Sequence, residues 1–70
     1  MNTSNVRILR LTDVVSKMGI SRSTIYDWLN PKSSRYDASF PKQRRLGKQS
    51  IGWLEAELDE WLLLRSQVGY

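Results

Sequence analysis

Two short stretches of this chain hold the side chains with chemistry to offer. In SRSTIYDWLN, residues 21–30, Arg22 carries a planar fork of donors, Ser23 a short hydroxyl, Tyr26 a phenol and Asp27 a pair of acceptor oxygens. Such a set suits the edges of base pairs: the fork can donate twice to guanine, the carboxylate can accept from a cytosine amine, and the phenol can meet a phosphate or a thymine methyl. In KQRRLGKQS, residues 42–50, Arg44, Arg45, Lys48 and Gln49 gather around Gly47, where cations can neutralise phosphates without carrying sequence information. Each stretch also has a plainer reading. The first can be a solvated helix face, with Asp27 paired to a neighbouring cation, and the second a hairpin edge kept from aggregating by its charge.

Other chemistry is missing at the level of residue type. The chain has no Cys and no His, which removes thiolate nucleophiles, imidazole bases, disulfides and the usual zinc ligands together. The remaining carboxylate cluster, Glu55, Glu57, Asp59 and Glu60, opens the last apolar segment, where acids suit the positive end of a helix dipole better than they suit paired-carboxylate catalysis. No enzyme activity, cofactor, metal or small-molecule substrate is expected. Seventy residues form one domain with a small core, in which three Trp, three Tyr and one Phe must supply much of the buried area.

Charge is unevenly placed along the chain. Residues 1–53 carry ten Lys or Arg against Asp13, Asp27 and Asp37, whereas the remainder sets its four acids against Arg65 alone. A basic region on so small a protein suggests a polyanion as partner, and a cationic surface kept only for solubility is the alternative. No apolar run has the length of a membrane span or the form of a signal peptide, so a cytoplasmic protein without a membrane partner is expected.

These residues must be held by elements that the pattern also marks. Residues 1–5 read as a tail and residues 6–11 as a short strand. Thr12 is the expected N-cap of a first helix running to about Met18, and Gly19 ends it in the left-handed conformation. Ser21 then caps a second helix through Asn30, and Pro31 forbids its continuation. Two helices joined by Met18-Gly19-Ile20-Ser21 have the form of a helix-turn-helix, with Val14, Val15, Met18, Ile20, Ile25 and Leu29 as its core; an ordinary helical hairpin would read much the same. A wheel through the second helix groups Ile25, Trp28 and Leu29 inward, so Trp28 reads as core, and leaves Ser23, Thr24, Tyr26 and Asp27 outward with Arg22 on the flank.

Residues 31–41, PKSSRYDASFP, read as a surface connection pinned by Tyr36 and Phe40. Residues 42–53 read as a hairpin with its turn at Gly47-Lys48, placing Leu46, Ile51 and Trp53 on a buried face and Arg45 and Gly52 on the other. A last helix over about residues 54–67 carries the stripe Leu54, Leu58, Trp61 and Leu62, edged by the stem of Arg65. Leu63 and Leu64 fall off that stripe. The expected fold is α+β, a small winged helix-turn-helix of three helices with a short N-terminal strand and a β-hairpin wing, spanning residues 6–67 between tails 1–5 and 68–70.

The ordered set RILRLTDVVSKMGISRSTIYDWL, FPKQRRLG and SIGWLEAELDEWLLLR resembles the AlpA family of prophage transcriptional regulators over nearly the whole chain, in a form close to small excisionases and MerR-type DNA-binding heads. SRSTIY alone is weak, but with FP-K, RLG and W-x-x-x-E-x-D-E-W at these spacings the combination is specific. The resemblance implies that the helix opened by Ser21 enters a DNA major groove, with Ser21, Arg22, Ser23, Thr24, Tyr26 and Asp27 as its contact residues. It implies equally that the hairpin carrying Arg44, Arg45, Lys48 and Gln49 acts as a wing on the neighbouring backbone. Arg44 departs from the pattern by standing where an apolar strand residue is expected, which would suit an extra phosphate contact. Arg7, Arg10 and Lys17 extend the basic surface.

Double-stranded DNA is therefore the expected partner, bound by a sequence-specific transcriptional regulator of a prophage or mobile element or by an excisionase-type recombination directionality factor. Self-association on DNA, or contact with recombination or transcription proteins, would accompany either role. The alternative from another class is a protein-interaction module or antirepressor acting through the C-terminal helix and Leu63/Leu64. Binding to RNA ranks below both, for want of an aromatic-bearing strand pair.

Overall fold

The corner between the first two helices is built from one glycine and one serine. In the computed structural model, which describes residues 6–65 and 67–69, α1 (Leu11–Met18) stops at Gly19, whose φ of 67° and ψ of 29° place it in the left-handed region that a side chain would strain. The Gly19 N–H donates to the Val15 carbonyl at 2.9 Å, and after Ile20 and Ser21 the chain restarts as α2 (Arg22–Leu29). Ser21 caps that helix, its Oγ accepting from the Thr24 N–H at 3.2 Å. At the other end of α1 the expected cap is displaced: Arg10, not Thr12, is the N-cap residue. The Asp13 carboxylate reaches back to accept the Arg10 N–H at 3.1 Å, so an acid in the first turn closes this end two residues earlier than a threonine hydroxyl would.

Three short strands complete the α+β architecture, β1 (Ile8–Leu9), β2 (Arg44–Arg45) and β3 (Ile51–Leu54), followed by α3 (Glu55–Leu63). The sheet order is β1-β3-β2 and both pairings are antiparallel, so the chain is a small winged helix-turn-helix with β2 and β3 as its wing. The strand expected over residues 6–11 is only Ile8–Leu9, because Leu11 already belongs to α1. The expected tail at residues 1–5 lies outside the described residues.

Wing register differs from the expected one by a single residue, with a large effect on its faces. Arg44 pairs with Gly52 and Arg45 with Ile51, and the Leu46 N–H donates to the Ser50 carbonyl at 2.7 Å, so the loop is Gly47-Lys48-Gln49 rather than a two-residue turn. One extra loop residue turns β2 over relative to β3. Leu46 and Gly52 therefore share the outer face, and Arg45 shares a face with Ile51 and Trp53, the reverse of the expectation for Leu46 and Arg45. Trp53 is fully buried, but Ile51 and Leu46 are 40% and 46% exposed. Gly52 is where the strands crowd: a Cβ there would stand 2.7 Å from Ile8 Cγ2 and 2.9 Å from the Leu9 carbonyl oxygen.

Leu9, Val14, Ile25, Phe40, Trp53, Leu58 and Trp61 make the core, with Leu11, Val15, Met18, Ile20, Trp28 and Leu29 packed around it. Each large side chain buried here contributes roughly 1.5–3 kcal/mol. Beneath α3 lies a triad of rings, Trp28, Phe40 and Trp61, with centroids 5.1–5.4 Å apart. Trp61 is buried as the expected stripe requires, but Leu62, assigned to the same stripe, is left on the surface, and α3 ends at Leu63, short of the expected residue 67. The connection between α2 and β2 is pinned at several points: the Phe40 ring is buried, the Asp37 N–H donates to the Trp28 carbonyl, and the Trp53 and Trp61 indoles donate to the Pro41 carbonyl and the Ser39 hydroxyl, each at 3.0 Å. Tyr36, expected to share that task with Phe40, is exposed.

Candidate nucleic-acid interface

The outward arc of α2 is offered to solvent by the same geometry that buries Ile25. Arg22, Ser23 and Tyr26 are exposed, as the wheel requires. Ser21 and Thr24 are committed within their own helix: the Ser21 hydroxyl, besides accepting the Thr24 N–H, lies 3.0 Å from the Thr24 hydroxyl and 3.1 Å from that of Ser23. Asp27 is half-buried, and its carboxylate accepts from the Ser33 hydroxyl at 3.3 Å. Among the described residues it forms no ion pair, so the expected pairing of Asp27 with a cation is replaced by a hydrogen bond to the following turn.

On the wing, Arg45, Lys48 and Gln49 are all exposed. The Arg45 guanidinium donates to the Lys48 carbonyl at 3.0 Å, which braces the loop while leaving most of its donors facing solvent. Arg44 is turned elsewhere. Its Nη2 and Nε donate to the two Glu57 oxygens at 2.8 and 3.3 Å, a two-point pair between wing and α3 that holds the guanidinium pKa above its ordinary value. The odd position of Arg44 in the strand thus answers to an acid in α3.

α2 and the wing meet at a groove of about 230 Å³. Arg10, Leu11 and Thr12 from the start of α1, Tyr26 from α2, Gln43 and Ile51 from the wing, and Trp53 at its base line this groove. Arg10, given only a minor place by its sequence position, is brought beside Tyr26. Gln43 is a further polar residue here that the residue pattern did not single out; it lies two positions before Arg45, on the same strand face, and a three-residue loop would have indicated it.

Electrostatics divide the molecule along this line. The acids at the start of α3 do more than complement its dipole: Lys17 Nζ sits 3.0 Å from both Glu55 and Asp59, and Arg7 lies 3.6 Å from Glu55. Hydrogen bonding to Asp59 and then Glu55 raises the Lys17 pKa. Arg65 pairs with Asp37 at 3.0 Å and stacks its guanidinium 4.4 Å above the Trp61 ring. Arg7, Lys17, Arg44 and Arg65 are therefore compensated. Arg10, Arg22, Lys32, Arg35, Lys42, Arg45 and Lys48 form no ion pair among the described residues, and their charge is available to an external anion.

A helix-turn-helix with an exposed polar arc, a cationic wing and a groove between them defines a winged-helix protein with a candidate nucleic-acid face. Residues 7–66 match the family described as Prophage CP4-57 regulatory protein (AlpA), and the chain belongs to that family. It is 64% identical over 67 residues to the DNA-binding transcriptional activator AlpA of Escherichia coli (strain K12), covering 96% of both chains. It is also 36% identical over 56 residues to the uncharacterized protein ORF88 of Enterobacteria phage P4, covering 80% of this chain and 57% of the phage protein. No solved structure matches the chain.

Proposed function

We propose that this protein binds double-stranded DNA with sequence preference and regulates transcription from a prophage or other mobile element. α2 lies in the major groove, with Arg22, Ser23 and Tyr26 at the base edges, while Arg45, Lys48 and Gln49 hold the adjacent backbone. One observation carries this reading: among the described residues Arg22 on α2 and Arg45 and Lys48 on the wing lack carboxylate partners, whereas Lys17 and Arg44, which face α3, possess them. The near-identical length and high identity of a relative named as a DNA-binding transcriptional activator support it. An excisionase-type role in recombination is a finer form of the same proposal, since it needs the same two contacts plus bending of the site.

Competition titration at fixed salt tests the proposal, using the DNA around the protein's own gene against random duplex. Arg22→Ala, which removes a side chain off the apolar face, is expected to reduce discrimination by about 1–3 kcal/mol if the fork contacts a guanine, with circular dichroism unchanged. Undiminished discrimination in Arg22, Ser23 and Tyr26 variants alike would sink the recognition-helix reading. Leu63 and Leu64, 84% and 77% exposed beyond the aromatic triad, favour a second reading in which the C-terminal helix contacts another protein. Salt separates the two, because docking through leucines withstands ionic strength that dissolves phosphate contacts.

A further inference from the structure

Beyond α2 the chain does not simply depart from the helix; it is folded back against it. Asn30 Oδ1 accepts the Lys32 N–H at 3.0 Å, the Asn30 carbonyl accepts the Ser33 N–H at 2.9 Å, and Ser33 Oγ accepts the Arg35 N–H at 3.1 Å. The same Ser33 hydroxyl donates to Asp27, in the last turn of α2. Asp27 shares a row of the outward arc with Ser23, so its hold on Ser33 draws the turn against that row, on the flank of the arc away from Arg22. The Asp37 N–H, bonded to the Trp28 carbonyl, fixes the far side of the turn. Lys32 and Arg35 flank Ser33, are exposed, and have no carboxylate partner among the described residues.

We infer that residues 32–35 form a third backbone contact, in which Lys32 and Arg35 neutralise phosphates beside the groove entered by α2, and that Asp27 is the positioning residue of this clamp and not a base reader. The inference rests on the DNA-binding reading and deepens it. An isolated carboxylate on a phosphate-facing surface would oppose binding. Here one of its oxygens is occupied by the hydroxyl that sets two cations in place, which accounts for an acid on this arc without giving it a base. Because the turn is already hydrogen-bonded, the two cations would reach phosphates at a smaller ordering cost than side chains on a loose loop.

The test is a salt titration on random duplex DNA with wild type, Lys32→Ala/Arg35→Ala, Asp27→Asn and Asp27→Ala, with circular dichroism as the folding control. The double variant is expected to flatten the dependence of log K on log salt by about two units. Asp27→Asn keeps an acceptor for Ser33 and is expected to retain the full slope, while Asp27→Ala loses part of it; both remove the same negative charge, so their difference isolates the hydrogen bond. An unchanged slope in the double variant overturns the clamp while leaving the recognition helix standing. Loss of preference at one base pair in both Asp27 variants, with wild-type slopes, overturns the positioning role. Failure of wild type to bind any duplex would instead remove the DNA-binding reading itself.

Discussion

Lys17 and Arg45 are both cations on short elements of a small basic protein, yet they stand in different electrostatic settings. Lys17 is held between Glu55 and Asp59, whereas Arg45 braces the wing loop through a backbone carbonyl and meets no acid among the described residues. The same contrast runs through the wing itself, where Arg44 meets Glu57 of α3 and Arg45, the next residue, does not. Net charge, +4 for the chain, says little about either. What matters is that the acids of α3 neutralise Arg7, Lys17 and Arg44 and so leave Arg22, Arg45 and Lys48, on α2 and the wing, among the uncompensated cations.

The largest expected effect is on the α3 side, where packing and ion pairs act together. Trp61→Ala removes one ring of the triad, the indole bond to Ser39 and the seat of Arg65, and is expected to cost about 3–5 kcal/mol, a large part of the stability of so small a domain. Thermal melting measures this; a variant that melts near wild type would show that the ring is not core. Gly52→Ala comes next. Its Cβ would meet Ile8 Cγ2 and a backbone oxygen that cannot swing aside, so a loss of about 1–3 kcal/mol in urea unfolding is expected. Wild-type stability for that variant would contradict the close approach of β1 to β3 at Gly52.

A paired substitution within one strand tests the electrostatic division directly. Arg45→Ala should weaken operator and random DNA together and lower the salt slope by about one unit, while Arg44→Ala, whose charge is bound to Glu57, should leave the slope as it is. Equal slopes for the two variants would mean that the division of cations has no bearing on binding. The smallest effect is a pH dependence on the α3 side. The Asp37 carboxyl is held below its ordinary value by the Ser39 hydroxyl, then by the Ser39 N–H and by Arg65. A group whose pKa falls on folding stabilises the native state above the unfolded value, near 3.9 for an aspartate, and loses that contribution as pH drops through the lower folded value. Melting temperature followed downward from pH 5 should therefore fall less steeply in Asp37→Asn than in wild type, and parallel curves would remove Asp37 from the account.

Legibility in the sequence followed the range of the interactions. Gly19, Ser21 and Pro31 mark the ends of α1 and α2 because caps and breakers act within a few residues, and the inward set Ile25, Trp28 and Leu29 follows from helical periodicity alone. The cap of α1 was less legible, since Asp13 can serve a helix beginning at Leu11 as readily as one beginning after Thr12. In the wing, RLGKQS admits both a two-residue and a three-residue loop. That ambiguity of one residue was enough to misplace Leu46 and Arg45 and to hide Gln43.

By itself the sequence determined the helix-turn-helix, the exposed arc of Arg22, Ser23 and Tyr26, the basic wing and the family, because each rests on local spacing or on an ordered set of motifs. Only the tertiary structure decided which charges are available. Lys17 meets Asp59 across 42 positions of chain, Arg65 meets Asp37 across 28, and Arg44 meets Glu57 from another element. The Asp27 carboxylate, on the outward arc of α2, is met by the hydroxyl of Ser33 in the following turn. Ion pairs and side-chain hydrogen bonds form where packing brings groups within about 3 Å. That proximity is set by how α3 and the connecting turn close on the core, a property that no local pattern encodes.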